Sequence, residues 1–183
     1  MSGGFRRTRR GPTVRFDSAE VVLLGMLFGD LLELLEADQD PPASADPLAE
    51  LTGLDDEATP LGRPTDPVLG RLLPDAYADD PERSAEFRRF TEPELRSGKQ
   101  SAVRAVLASL PPESGTIVLD DDLTNAWLGA LNDLRLALGT RLGVTENSYN
   151  ELDQLDRAEP RARELTVFLW LGVLQESLVD TLQ

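Results

Sequence analysis

Between Leu119 and Glu146 the apolar positions step by three and four: Leu123, Trp127, Ala130, Leu131, Leu134, Leu138 and Leu142. Such steps place them on one face of a helix, since about 3.6 residues complete a turn. The run opens on Asp120, Asp121 and Asp122 and stops at Gly143. An aspartate at 120–122 offers a carboxylate to the orphan N–H groups of the first turn. Gly143 can turn left-handed and close the helix. The pattern predicts a central helix over about 120–143.

The same reading divides the rest of the chain. Asp17 caps a long helix, with Glu20 at the reciprocal capping-box position. Its body, VVLLGMLFGDLLELLE, is apolar nearly all round, which predicts burial on several sides. Gly25 and Gly29, four apart, admit close approach of another backbone, either as tight packing inside the chain or as a homodimer seam. Asp66-Pro67 and Asp80-Pro81 each pair a cap with proline at the first helical position. They start a short helix ended by Pro74, and a second with Phe87 and Phe90 on or near one face. Thr91 and Glu94 read as a further capping box, with Pro93 in the first turn. That helix should bury Leu95, Ala102, Val103, Val106, Leu107 and Leu110 before Pro111-Pro112 stops it. After a polar loop or short irregular helix over 145–159, Pro160 begins the last helix. Leu165, Phe168, Leu169, Gly172, Leu178, Val179 and Leu182 give it an apolar face, which Trp170 and Leu171 widen.

Two stretches depart from helical spacing. Phe5 to Phe16, FRRTRRGPTVRF, reads as two extended pieces around a Gly11-Pro12 turn. The other β-rich stretch is Thr116 to Leu119, so a small sheet of Phe5–Arg9, Thr13–Phe16 and Thr116–Leu119 is expected. Ala37 to Asp66 holds five prolines, eight acids and one base, Arg63, and reads as a flexible acidic loop with one helical turn at Pro47–Leu51. It is either a hook for a basic partner or a solvated loop. The fold class is therefore mainly α: a single-domain bundle (1–183) of about five or six helices around the 120–143 helix. A small N-terminal sheet (1–16) and an acidic Pro-rich loop (37–66) complete it.

Composition narrows the function. The first fifteen residues hold five arginines and no acid, which leaves 13 bases against 33 acids, a net of −20, from residue 16 onward. Such a body repels nucleic acid and attracts a protein partner with a basic surface; the alternative is that acidity only maintains solubility. The chain has no cysteine and no histidine, so thiol catalysis, disulfides, zinc–thiolate sites and imidazole acid–base chemistry are excluded. The basic start lacks the apolar run of a signal peptide. The most apolar run, Val21–Leu35, contains Asp30 and Glu33 and falls short of the roughly 20 residues a membrane span needs. A cytoplasmic protein that does not engage membranes is expected.

Candidate sites follow from residues the helices do not need. Asn132, Asp133 and Arg135 interrupt the apolar helix, and with Thr140 and Arg141 they form either a polar packing network or a recognition patch. Asp and Arg two apart cannot pair on one helix, so each must look elsewhere for a partner. Arg6, Arg7, Arg9 and Arg10 form a basic arm, either a DNA or RNA contact or an exposed ribbon. No aromatic platform or recognition helix accompanies it. Asp120–Asp122 lacks calcium-loop spacing and reads as a cap. Trp127 and Trp170 lie on apolar faces and read as core. No base, nucleophile and orienting group share a distinctive spacing, so no catalytic residue, metal ligand or cofactor is expected, and an enzyme built on carboxylates ranks last.

Three segments, Asp66–Gln100, Leu119–Glu146 and Phe168–Val179, resemble a family of uncharacterised actinobacterial proteins that includes the oxidative-stress transcriptional regulator AosR. The run NDLRLALGTRLG, Asn132–Gly143, carries the resemblance most specifically. It implies a cytoplasmic, non-enzymatic regulatory or adaptor protein that acts through a stress sigma factor on cysteine-biosynthesis genes. The redox switch of that regulator, a pair of cysteines, has no counterpart in a chain without cysteine.

Overall fold

The computed structural model describes residues 3–37, 64–77, 79–146, 148, 155–156 and 158–183. The acidic loop expected at 37–66, with its turn at 47–51, lies almost wholly outside them, as does most of the polar stretch before Pro160. Among the described residues, strands β1 (Arg6–Thr8), β2 (Gly11–Phe16) and β3 (Gly115–Val118) accompany five helices. These are α1 (Ser18–Glu36), α2 (Pro67–Leu72), α3 (Pro81–Ser109), α4 (Asp121–Leu142) and α5 (Pro160–Asp180). The protein is mainly α.

Helix α4 is the predicted central rod. Asp120 accepts from Leu123 N–H at 2.8 Å, and Gly143 closes it with φ of 58°. It packs against each of the other four helices. Trp127, Ala130, Leu131, Leu134 and Ala137 are buried along it. Trp127 is the hub, with Phe5 edge-on at 5.6 Å, Phe16 stacked at 5.9 Å and Phe28 edge-on at 5.9 Å. Its indole N–H donates to Ser109 Oγ at 3.1 Å, which satisfies the one polar atom the ring would otherwise bury.

The sheet has the order β1-β2-β3 and is antiparallel throughout. Its reversal differs from expectation. The chain turns at Arg9–Arg10, and Gly11 and Pro12 already belong to β2. Gly11 adopts φ of 118°, a conformation side chains rarely take, so the glycine completes the reversal rather than beginning it. Val14 and Phe16 face the core while Arg15 faces out, as period-two alternation requires. Phe5 N–H donates to Ser177 Oγ at 2.8 Å and ties the N-terminal segment to α5.

Caps at Asp17, Asp66 and Asp80 match the expected starts; in α1 both halves of the capping box are made. Four expectations are corrected. Thr91–Glu94 caps nothing: α3 runs unbroken through Pro93, and Thr91 Oγ1 donates back to Phe87 O at 2.9 Å. The bond Pro93 cannot make would go to the carbonyl of exposed Arg89, where solvent can replace it. Leu95 is 45 % exposed rather than buried, because the buried stripe of this half of α3 is polar. A Cβ built at Gly25 or Gly29 meets nothing within 4 Å, so among the described residues these glycines receive no close backbone from within the chain. Val179 on α5 and Leu182 just beyond it are exposed, while Leu174 is buried with Trp170 and Leu171.

Candidate functional site

The five polar positions singled out on α4 point in different directions. Asp133 is buried and accepts from Lys99 Nζ of α3 at 2.7 Å. Arg135 turns the opposite way, donating to Gln175 Oε1 of α5 at 2.6 Å, with its guanidinium 5.6 Å from the Phe168 ring. Thr140 is half-buried and returns its hydroxyl to Leu136 O at 2.8 Å. Arg141 lines a small crevice against α1 with Asp30 and Leu34. Asn132 is exposed. The structure therefore distributes these side chains among α3, α5, α1 and solvent and gathers no more than one of them on any neighbour.

Arg6, Arg7, Arg9 and Arg10 are all exposed on β1 and its turn. The register places Arg6 opposite Thr13 on the outer face of the sheet, where Thr8 and Thr13 hydroxyls lie 3.1 Å apart. The ribbon is a cationic edge whose core side is anchored by Phe5 and Val14. Such charged edges also block pairing with another chain. Asp120 is spent on its cap; Asp121 and Asp122 are exposed in the first turn. Among the described residues no three acidic side chains converge as a metal site.

The sequence reading missed a buried polar ladder on α3. Ser84, Arg88, Glu92, Arg96 and Gln100, four apart, form one stripe facing inward. Glu92 bridges both arginines, Oε2 to Arg88 at 2.8 Å and Oε1 to Arg96 at 2.7 Å. Arg88 also pairs with Asp75 and donates to Leu73 O at 3.1 Å. Arg96 and Gln100 both donate to Leu35 O, at 3.2 and 2.9 Å. The ladder thereby covers carbonyls that the C-termini of α1 and α2 leave unpaired. Burial opposes the charged form of Arg88, but hydrogen bonds to Glu92 and Asp75 outweigh it and hold its pKa above the usual arginine value. Beside the ladder is a cleft of about 290 Å3, lined largely by Leu73, Pro74, Phe87, Thr91 and Leu95. Its charged floor is already paired, so the cleft offers an apolar surface and no reactive group. The only sequence signal for the ladder was opposite charge at four-residue spacing, which a solvated helix face shows equally well.

Across residues 1–182 the chain matches the model of a family described as a domain of unknown function, DUF2017. It is 37% identical over 187 residues to the oxidative stress regulator AosR of Mycobacterium bovis and of Mycobacterium tuberculosis, an alignment covering 94% of this chain and 83% of each relative. The same identity and coverage hold for the putative oxidative stress regulator AosR of Mycobacterium leprae. No solved structure matches the chain.

Proposed function

This chain belongs to the DUF2017 family, and from that premise we propose that it is a regulatory protein that works by binding rather than by catalysis. The observation that carries the reading is its 37% identity, across 94% of its length, to proteins named oxidative stress regulators. The partner in this reading is a component of the transcription machinery with a basic surface, a sigma factor acting on cysteine-biosynthesis genes being the case the family resemblance suggests. Supporting it is the charge of the chain from residue 16 onward, 13 bases against 33 acids, which favours encounter with a basic surface. With no cysteine, the chain cannot itself carry a thiol switch. The test is affinity capture from the native cell at physiological salt. A sigma factor or polymerase subunit should be recovered and lost as salt is raised. Capture that recovers neither counts against the reading.

A second reading, nucleic-acid binding through the ribbon, is favoured by one observation: all four of its arginines are exposed. Deleting the ribbon would remove Phe5 from the Trp127 cluster, so the clean test replaces Arg6, Arg7, Arg9 and Arg10 with serine. Retention of DNA or RNA should then be abolished; equal retention with and without the arginines excludes the ribbon.

A further inference from the structure

The outer face of α5 carries a shallow groove of about 610 Å3, formed by Leu169, Gly172, Val173, Gln175, Glu176 and Val179 with Arg135 at its edge. Its apolar residues are open to solvent: Val173 is 56 % exposed and Val179 41 %. Its charges are unmatched. Among the described residues Arg135 makes one hydrogen bond, to the neutral Gln175, and lies 5.6 Å from the Phe168 ring, while its Nε is buried with no hydrogen-bond partner. No ion pair among the described residues includes Arg135 or Glu176. A partly buried guanidinium without a carboxylate, in a chain with 33 acids, is an incomplete site.

We infer that this face packs on the same face of a second copy of the chain, α5 against α5, antiparallel about a two-fold axis at the level of residue 174. An isologous interface requires a patch complementary to itself. This one has that property. In an antiparallel two-fold pair centred at 174, Leu169 lies level with the partner's Val179, and Gly172, about 40° around the helix from Glu176, lies beside the partner's Glu176. Apolar therefore meets apolar at the two ends. At Gly172 the missing side chain leaves a notch, and the Arg135 guanidinium borders it, 3.5 Å from where a Cβ would stand. The carboxylate of the partner's Glu176 enters that notch and meets Arg135. Symmetry makes the pair twice, so each copy satisfies the cation and the anion the other leaves open. A partner of uniform charge would match one of these groups and oppose the other. The inference goes beyond the regulatory reading and does not depend on it.

The test is light scattering and sedimentation on the full chain over a range of concentrations. The expected mass is twice the 20.0 kDa of one chain. Glu176→Arg, at an exposed position, should keep the helical circular dichroism and weaken association by about tenfold or more, since it sets like charges together. Arg135→Glu should do the same, and combining the two should restore the dimer by reversing the pair. Should Arg135→Glu fail to fold, Val173→Glu takes its place: dissociation supports the interface and an intact dimer overturns it. A wild-type chain that stays monomeric across the range, or a dimer untouched by Glu176→Arg, overturns the proposal. Single variants that dissociate without rescue by the reversed pair overturn the contact between Arg135 and the partner's Glu176.

Discussion

Arg96 donates to the backbone carbonyl of Leu35 at 3.2 Å, across 61 residues of chain, and so closes the C-terminus of α1 from the middle of α3. Gln100 reinforces the same carbonyl, and Glu92 holds Arg96 in position from one turn earlier. A helix end that would otherwise present unpaired carbonyls to the core is sealed by side chains from another element.

Glu92 is the part of this ladder that cannot be removed singly. Glu92→Ala leaves two buried guanidiniums, Arg88 and Arg96, without their shared counter-charge. The expected loss is about 3–5 kcal/mol of unfolding free energy in urea titrations. Replacing Arg88, Glu92 and Arg96 together by Met or Leu should cost less, because the three most buried charges leave together; the half-buried Asp75 and the Leu73 carbonyl lose their Arg88 donor and account for the remainder. The pH dependence has a definite sign. A base whose folded pKa is raised contributes fully below its unfolded pKa and loses that contribution only as pH rises through the folded value. Arg88 is such a base, so its contribution should stay constant from neutral to mildly alkaline pH.

Much of the fold was legible because local signals and global packing agreed. Asp120 and Gly143 bracket α4 where the apolar spacing begins and ends, and Trp127 sits in the centre of its stripe. The ladder was not legible. Ser84, Arg88, Glu92, Arg96 and Gln100 have the composition of a solvated face, and only tertiary contact with Leu35, Leu73 and Asp75 turns that face inward. For the same reason Pro93 misled. Its position after Thr91 suits a new start, but α3 continues through it with the ladder on the buried side and the proline outside. The candidates on α4 could be named but not placed, since spacing along one helix does not say which neighbour each side chain meets.

Trp127 joins sheet, α1 and α4 in one cluster, through Phe16, Phe28 and its own helix. Trp127→Ala should cost about 3–5 kcal/mol, and chemical denaturation measures it. Trp127→Phe should cost less, but it removes the N–H bond to Ser109 and with it the polar anchor to the end of α3. Near-ultraviolet circular dichroism should change in both, as the ring packing around Phe5 and Phe16 loosens.

The caps separate local from tertiary effects. Asp120→Ala removes the acceptor for Leu123 N–H and should cost about 1 kcal/mol. Asp121→Ala, one residue later and exposed, leaves that bond intact. It loses only a favourable charge near the helix start, worth about 0.3–1 kcal/mol at low salt and less as salt rises. Thermal melts at two ionic strengths distinguish the two variants.

Two kinds of glycine in this chain should respond to alanine with opposite signs. At Gly11 the backbone has φ of 118°, and an added Cβ would lie 2.3 Å from the carbonyl oxygen of Leu119. Neither the strain nor the clash can relax by moving a flexible side chain, because the obstacle is backbone. Leu119 is itself held there by its N–H bond to Pro12 O at 2.8 Å. Gly11→Ala should therefore destabilise by more than about 1 kcal/mol and shift the β1–β2 hairpin away from β3. At Gly25, inside α1, nothing lies within 4 Å of an added Cβ. Alanine there restricts the unfolded chain and favours the helix, a gain of about 0.5–1 kcal/mol. Urea titration of the two variants side by side decides the matter. A destabilised Gly25→Ala would mean that a backbone approaches α1 at that point after all, as the four-residue spacing with Gly29 first suggested.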